Sequence, residues 1–280
     1  MKILIILCEG PHDVAFIYKV SRLALNAQDI TGTKLKDFPS PLGSHFVRLL
    51  QNYRYEDSQL TGRPEIPTTL SLTPHEDQEI VYLLIYPMGG DSKIESWKDQ
   101  IQKFQDIAIN DLPEMKAEIS IGLIFDADDG LADRVKKCHD NFNDILPEIT
   151  GLNATEQHIC LTKSFKSLGL HLFCNDEGTG NLEEILIPLM KLGNEQIFNE
   201  ALEYLNRNKD NKRPTEKKFK SNYDENKSLL GVVGQLQCSG VANNSIIKQS
   251  DYITNDKLSV SEKASELVSF LKSLINSLYE

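Results

Sequence analysis

Continuous apolar runs alternate with amphipathic stretches along the first two-thirds of the chain. The first run is Ile3-Leu4-Ile5-Ile6-Leu7-Cys8. A run with no polar face is the pattern of a strand buried on both sides of a sheet. Gly10 and Pro11 break it, and Val14, Ile17, Tyr18, Leu23 and Leu25 then recur at helical spacing through about residue 26. A second buried strand is predicted at Ile80-Val81-Tyr82-Leu83-Leu84-Ile85. The turn Gly89-Gly90 follows it, then a helix over about residues 93–109 with Asp91 or Ser92 as its cap. A third strand covers 119–125, and the helix after it, about 131–145, ends at Pro147. Residues 157–161 read as a short fourth strand and 168–173 as a fifth. The turn Gly178-Thr179-Gly180 then opens another helix at Leu182, Glu183 and Glu184.

Strands alternating with helices predict an α/β fold with a mostly parallel central sheet flanked by helices, Rossmann-like in type. Residues 29–78 interrupt it. They carry Pro39, Pro41, Pro64, Pro67 and Pro74 with Gly32, Gly43 and Gly62, and predict one helix at about 42–53 within loop. This block is read as an insertion able to act as a lid. The tail, 191–280, is largely helical and closes on an amphipathic helix over 261–278. The chain is thus expected to be a single unit, residues 1–280, with its core in 1–28 and 79–190.

Composition narrows the function. Thirty basic residues against 41 acidic ones leave a net charge of −11. Such a chain repels phosphate at long range, so it handles nucleic acid only through a local basic patch or through metal ions that invert the sign of an acidic pocket. The run from Arg207 to Lys220 is the basic candidate, read either as a solvated loop or as a surface that tracks phosphates. The five cysteines, Cys8, Cys138, Cys160, Cys174 and Cys238, contain no C-x-x-C pair, which argues for reduced thiols and against a zinc knuckle. The six histidines show no ligand spacing, and neither a P-loop nor a nucleophile elbow is present. No apolar run is long enough to span a bilayer, so no membrane contact is expected and a cytoplasmic location is.

The carboxylates gather where ligands gather in such sheets, at the carboxyl ends of strands. Glu9 ends the first strand, with Asp13 in the first turn of the next helix. Asp126 and Asp128 end the third strand, and residues two apart in an extended segment point the same way. Glu183 and Glu184 open the late helix. Clustered carboxylates need compensation, and a hard divalent cation supplies it. Two such ions can stabilise the attacking and leaving oxygens of phosphoryl transfer.

These residues resemble a known family. An apolar strand with Glu9-Gly10-x-x-Asp13, then one with Asp126-x-Asp128, is similar to the TOPRIM domain of topoisomerases, primases and OLD-type nucleases. Gly180-x-Leu182-Glu183-Glu184 resembles an element of small stand-alone TOPRIM proteins. The resemblance covers about 1–28 and 79–190. It implies that Glu9 is a metal ligand or general acid/base, that Asp126 and Asp128 hold Mg²⁺ (or Mn²⁺), and that Asp13 and Glu183 join the metal shell. Catalytic roles fall to Glu9, Asp126 and Asp128. It further implies a nuclease acting on DNA or RNA, or a non-catalytic subunit that binds metal, nucleic acid or a partner such as an ATPase.

Simpler roles compete for the same residues. Asp13 suits the positive end of its helix. Asp128 or Asp129 suits an N-cap, and Asn181-x-x-Glu184 fits a capping box. Lys227 or Lys248 is a candidate transition-state cation, with nothing in the spacing to choose between them. Asp126-x-Asp128-Asp129-Gly130 also loosely echoes the signature of haloacid-dehalogenase-type phosphatases, but with its glycine one position late.

Overall fold

The computed structural model describes residues 1–51, 66–74, 78–110, 116–153, 157–208 and 224–280. The chain runs β1 (Lys2–Cys8), α1 (Pro11–Ala24), β2 (Gln28–Asp29), α2 (Leu42–Gln51), β3 (Thr68–Leu72), β4 (Val81–Pro87), α3 (Ile94–Ala108), β5 (Glu118–Asp126) and α4 (Leu131–Phe142). It continues through β6 (Ile159–Cys160), β7 (Ser167–Phe173), α5 (Leu182–Lys191), α6 (Glu195–Asn208), α7 (Glu225–Gly234), α8 (Asn243–Gln249), α9 (Asn255–Val260) and α10 (Glu262–Asn276). One seven-stranded sheet has the order β2-β3-β4-β1-β5-β7-β6. Its four central strands, β4, β1, β5 and β7, are parallel, and β3, β2 and β6 add antiparallel edges. The predicted α/β architecture with a mostly parallel sheet is the one observed.

The apolar run of β1 is divided between two cores. Leu4, Ile6 and Cys8 face a layer built from α1 and α5 to α10. Ile3, Ile5 and Leu7 face the opposite layer, with α2, α3 and α4. Side chains alternate along a strand, so a strand covered on both faces is apolar throughout. On the first face β5 and β7 carry small residues, and α10 lies close against them. A β-carbon built on Gly169 would stand 2.6 Å from the Phe270 ring, and one on Gly122 2.9 Å from Leu274. Glycine here gives the helix room to approach the sheet. Just past the C-terminal end of α10, Ser277 joins Ser167 (2.6 Å) and Ser120 (3.0 Å), so these buried hydroxyls satisfy one another.

The region 29–78 differs from expectation. Thr68–Leu72 is a strand, paired antiparallel with β4 from Thr68 beside Ile85 to Leu72 beside Val81. Leu70 and Leu72 are buried, so the segment is part of the sheet rather than loop. Pro67 and Pro74 flank the strand instead of interrupting it. The predicted helix at 42–53 is seen as α2 to Gln51; residues 52–65 and 75–77 lie outside the described residues, as do 209–220 of the basic run. Among the described residues no helix is long and apolar enough to cross a membrane.

Candidate active site

In parallel register Cys8 lies beside Pro87 on one side and Ile124 on the other. The chain just beyond β1 therefore meets the turn after β4 and the last residue of β5. The Gly89 amide donates to the Glu9 carbonyl at 2.8 Å. The Glu9 carboxylate accepts through Oε1 from the Asp126 amide at 3.2 Å and from Arg134 Nη2. Two acids 117 positions apart thus touch through a backbone hydrogen bond.

Asp13 is 6% exposed in the first turn of α1 and accepts from the Gly10 amide at 2.7 Å. Its capping role is real, since that amide would otherwise lack a partner. Asp126 takes the Leu182 amide on Oδ1 at 2.9 Å, so it caps α5 from another strand. Glu183, also buried, binds His12 Nδ1 at 2.8 Å through Oε1, and Lys227 Nζ stands 3.9 Å from the same atom. Glu9, Asp13, Asp126 and Glu183 thus gather at one end of the parallel strands, beside the first turns of two helices.

The electrostatics follow from this crowding. Burial, then the charges of Asp13 and Glu9, push Asp126 up to about 8, against the Leu182 hydrogen bond. Burial pushes Asp13 up to about 7; Glu9 and Glu183 add to this, and the Gly10 amide opposes it. Glu9 is also raised by burial, with Arg134 pulling the other way. The Cys8 thiol is held well above its usual range by burial and by Asp13, Glu9 and Asp126, which keeps it uncharged. Among the described residues neither Asp13 nor Asp126 makes an ion pair.

Asp128 does not share the orientation of Asp126. The strand ends at Asp126, and Asp128 has a left-handed backbone with φ of 51°. Two hydrogen bonds of 2.8 and 2.7 Å pair its backbone with that of Gly180. Its side chain is 59% exposed and stands 3.7 Å from Arg134 Nη1, at the rim. Neither Asp128 nor Asp129 caps α4, whose N-cap is Gly130. The predicted capping box at α5 is not formed: the Asn181 side-chain oxygen makes no such bond, and Glu184 is turned to Asn226 at 3.4 Å. Asp91 is likewise no cap for α3. It binds Arg134 Nη1 at 2.8 Å and also Lys137.

Two residues at the site were not singled out by the sequence. Arg134 occupies the buried stripe of α4 in phase with Leu131 and Cys138, and a basic residue within an apolar stripe was a readable signal. His12 gave no such signal, because its partner is 171 positions away. Of the two candidate lysines, Lys227 stands at the site, whereas Lys248 lies over the Tyr18 ring at 4.5 Å.

The donor chemistry suits a hard cation, since every clustered donor is a carboxylate oxygen and, among the described residues, two of the acids make no ion pair. The positions are less ready: among the described residues no three His, Cys, Asp or Glu side chains form a group that would hold a metal ion. Each acid is instead held by a helix amide, by Arg134 or by His12. Coordination therefore requires side-chain rotation within the cluster.

The fold is shared with a solved structure, that of a hypothetical protein from Pyrococcus horikoshii OT3. It is 14% identical with a TM-score of 0.52, covering 100% of this chain and 98% of the other. No curated protein matches. A family model described as protein of unknown function, DUF3226, matches residues 3–276. With nearly its whole length matched, the chain belongs to the DUF3226 family.

Proposed function

We propose that the protein is a Mg²⁺-dependent, TOPRIM-like enzyme that hydrolyses phosphodiester bonds in nucleic acid. The observation that carries this reading is the meeting of Glu9 with Asp126 at the strand ends, with buried Asp13 beside them. Asp126, Asp13 and Glu9 would hold the cation, with Glu183 at the periphery and Asp128 reaching in from the rim. The bound ion would supply charge neutralisation and an activated water for phosphoryl transfer. The chain's own groups do the rest. The Gly10 and Leu182 amides each hold one oxygen of Asp13 and Asp126. Lys227, half exposed beside Glu183, offers a positive charge to a phosphate entering from solvent.

The test is nicking of a supercoiled plasmid with Mg²⁺ or Mn²⁺, comparing wild type with Glu9→Ala and Asp126→Ala. Loss of cutting in both variants supports the assignment, and equal activity in all three rejects it. A second reading, a non-catalytic module that binds nucleic acid beside a partner such as an ATPase, is favoured by one observation: the acids are already engaged and, among the described residues, no coordinating group is assembled. Metal-dependent DNA binding without cutting would support it.

A further inference from the structure

Arg134 is the most buried cation at this site, and its role is unassigned. Its side chain is 4% exposed on α4, with the guanidinium 4.8 Å from the Phe125 ring centre. Nη2 binds Glu9 Oε1. Nη1 binds Asp91 at 2.8 Å and faces Asp128 at 3.7 Å. Three acids from three separate segments therefore share one planar fork. Glu9 Oε1 is occupied twice, by Arg134 and by the Asp126 amide. Its other oxygen, Oε2, faces Gly90, where an added β-carbon would stand 3.4 Å away. Asp91 anchors the fork at the turn after β4, and the same turn is pinned by Trp97 Nε1 donating to the Gly89 carbonyl at 2.9 Å.

Resting on the cation-dependent reading above, we propose that Arg134 is a positioning residue that holds Glu9 by Oε1 and so limits the orientations in which its carboxylate meets the bound cation. A ligand held by an outer partner keeps one orientation and loses little freedom on binding. A lysine would keep the charge but not the fork, because an ammonium is a point donor on a flexible stem. Arg134 is thus not interchangeable with Lys, although the net charge would be the same.

The experiment measures Mn²⁺ binding by calorimetry in wild type, Arg134→Lys, Arg134→Met and Arg134→Ala, the last with and without millimolar ethylguanidinium. Loss of an outer partner of a ligand weakens binding about 10- to 100-fold, and that is the loss expected for Arg134→Met. Arg134→Lys should be intermediate, and ethylguanidinium should restore Arg134→Ala. A general loss of structure would not be reversed by a small guanidinium, which separates positioning from mere stability. If Arg134→Met does not fold, Arg134→Lys and the rescued alanine variant decide by the same criterion. Folded variants within about threefold of wild type, or binding more tightly, overturn the inference, since the guanidinium would then be idle or a competitor of the cation. A wild type that binds no Mn²⁺ overturns the cation reading itself and this inference with it, a signature distinct from equal binding in all variants.

Discussion

Replacing Asp126 by Asn should make the cation-free protein more stable at alkaline pH while removing its response to Mg²⁺. The carboxyl of Asp126 lies at about 8 in the folded protein against an ordinary 3.8. The folded state therefore holds a proton that the unfolded chain has already released. Stability falls as pH rises through the window between these values, and the loss is complete above the folded value. The span sets a ceiling of roughly 6 kcal/mol at 1.36 kcal/mol per pH unit. Side-chain rotation and water entry relieve most of this at a half-buried site, leaving about 1–3 kcal/mol. Asparagine retains an oxygen for the Leu182 amide and carries no charge beside Asp13 and Glu9.

The assay is thermal unfolding with chelator from pH 5 to 9, for wild type and Asp126→Asn, repeated in excess Mg²⁺. At pH 9 the variant should melt above the wild type by about 2–8 °C, and the gap should close towards pH 5. A bound cation stabilises the wild type by about 2.7 kcal/mol at one hundred times its dissociation constant, an increment the variant should largely lack. The comparison of the two proteins cancels the general effect of net charge. Parallel pH curves, or a variant less stable than wild type by the same amount at every pH, would refute the reasoning.

Other outcomes follow from single contacts. Gly169→Ala should cost about 1–3 kcal/mol, read by urea unfolding, because the new methyl meets Phe270 at 2.6 Å and α10 must shift. Trp97→Phe should cost about 1–3 kcal/mol in the same assay, since it removes the hydrogen bond to Gly89 and part of a stack on Phe125 at 4.4 Å. His171, fully buried and stacked on Phe270, is pushed down to about 3 by burial, with His158 and Lys263 adding. Its contribution is present above the free value of 6.5 and is lost as pH falls towards 3, so His171→Phe should shift the acid unfolding midpoint, followed by circular dichroism, to lower pH.

What the sequence made legible is what depends on local pattern. Six apolar residues from Ile3 to Cys8 have no polar face, and only a strand covered on both sides buries them all. The acids at its end and at the end of β5 follow from chain direction alone, since parallel strands finish at one edge. β3 was hidden because its five residues mix Thr and Ser with Leu and lie between prolines. What makes it a strand is pairing with β4, a long-range hydrogen-bond ladder that no local propensity encodes.

The site shows the same division. That Glu9, Asp13, Asp126 and Glu183 gather was readable; that Asp128 stands apart, and how each acid is held, was not. A capping box was expected at Asn181 and Glu184, but the Leu182 amide is taken by Asp126 from a strand 56 positions earlier. Asp126 and Asp128 were expected side by side, but that holds only while the backbone stays extended, and the strand ends at Asp126. Arg134 is marked in the sequence only as a charge within an apolar stripe and His12 not at all, because their partners, Glu9 and Glu183, are 125 and 171 positions away. A helix end or a buried charge is satisfied by whichever group the fold brings within reach, and sequence proximity is only one way of being near. The tertiary partners decide the chemistry here, because they fix whether each carboxylate still has an oxygen free. At Glu9, Oε1 is taken by the Asp126 amide and by a guanidinium that no motif at Glu9 announces.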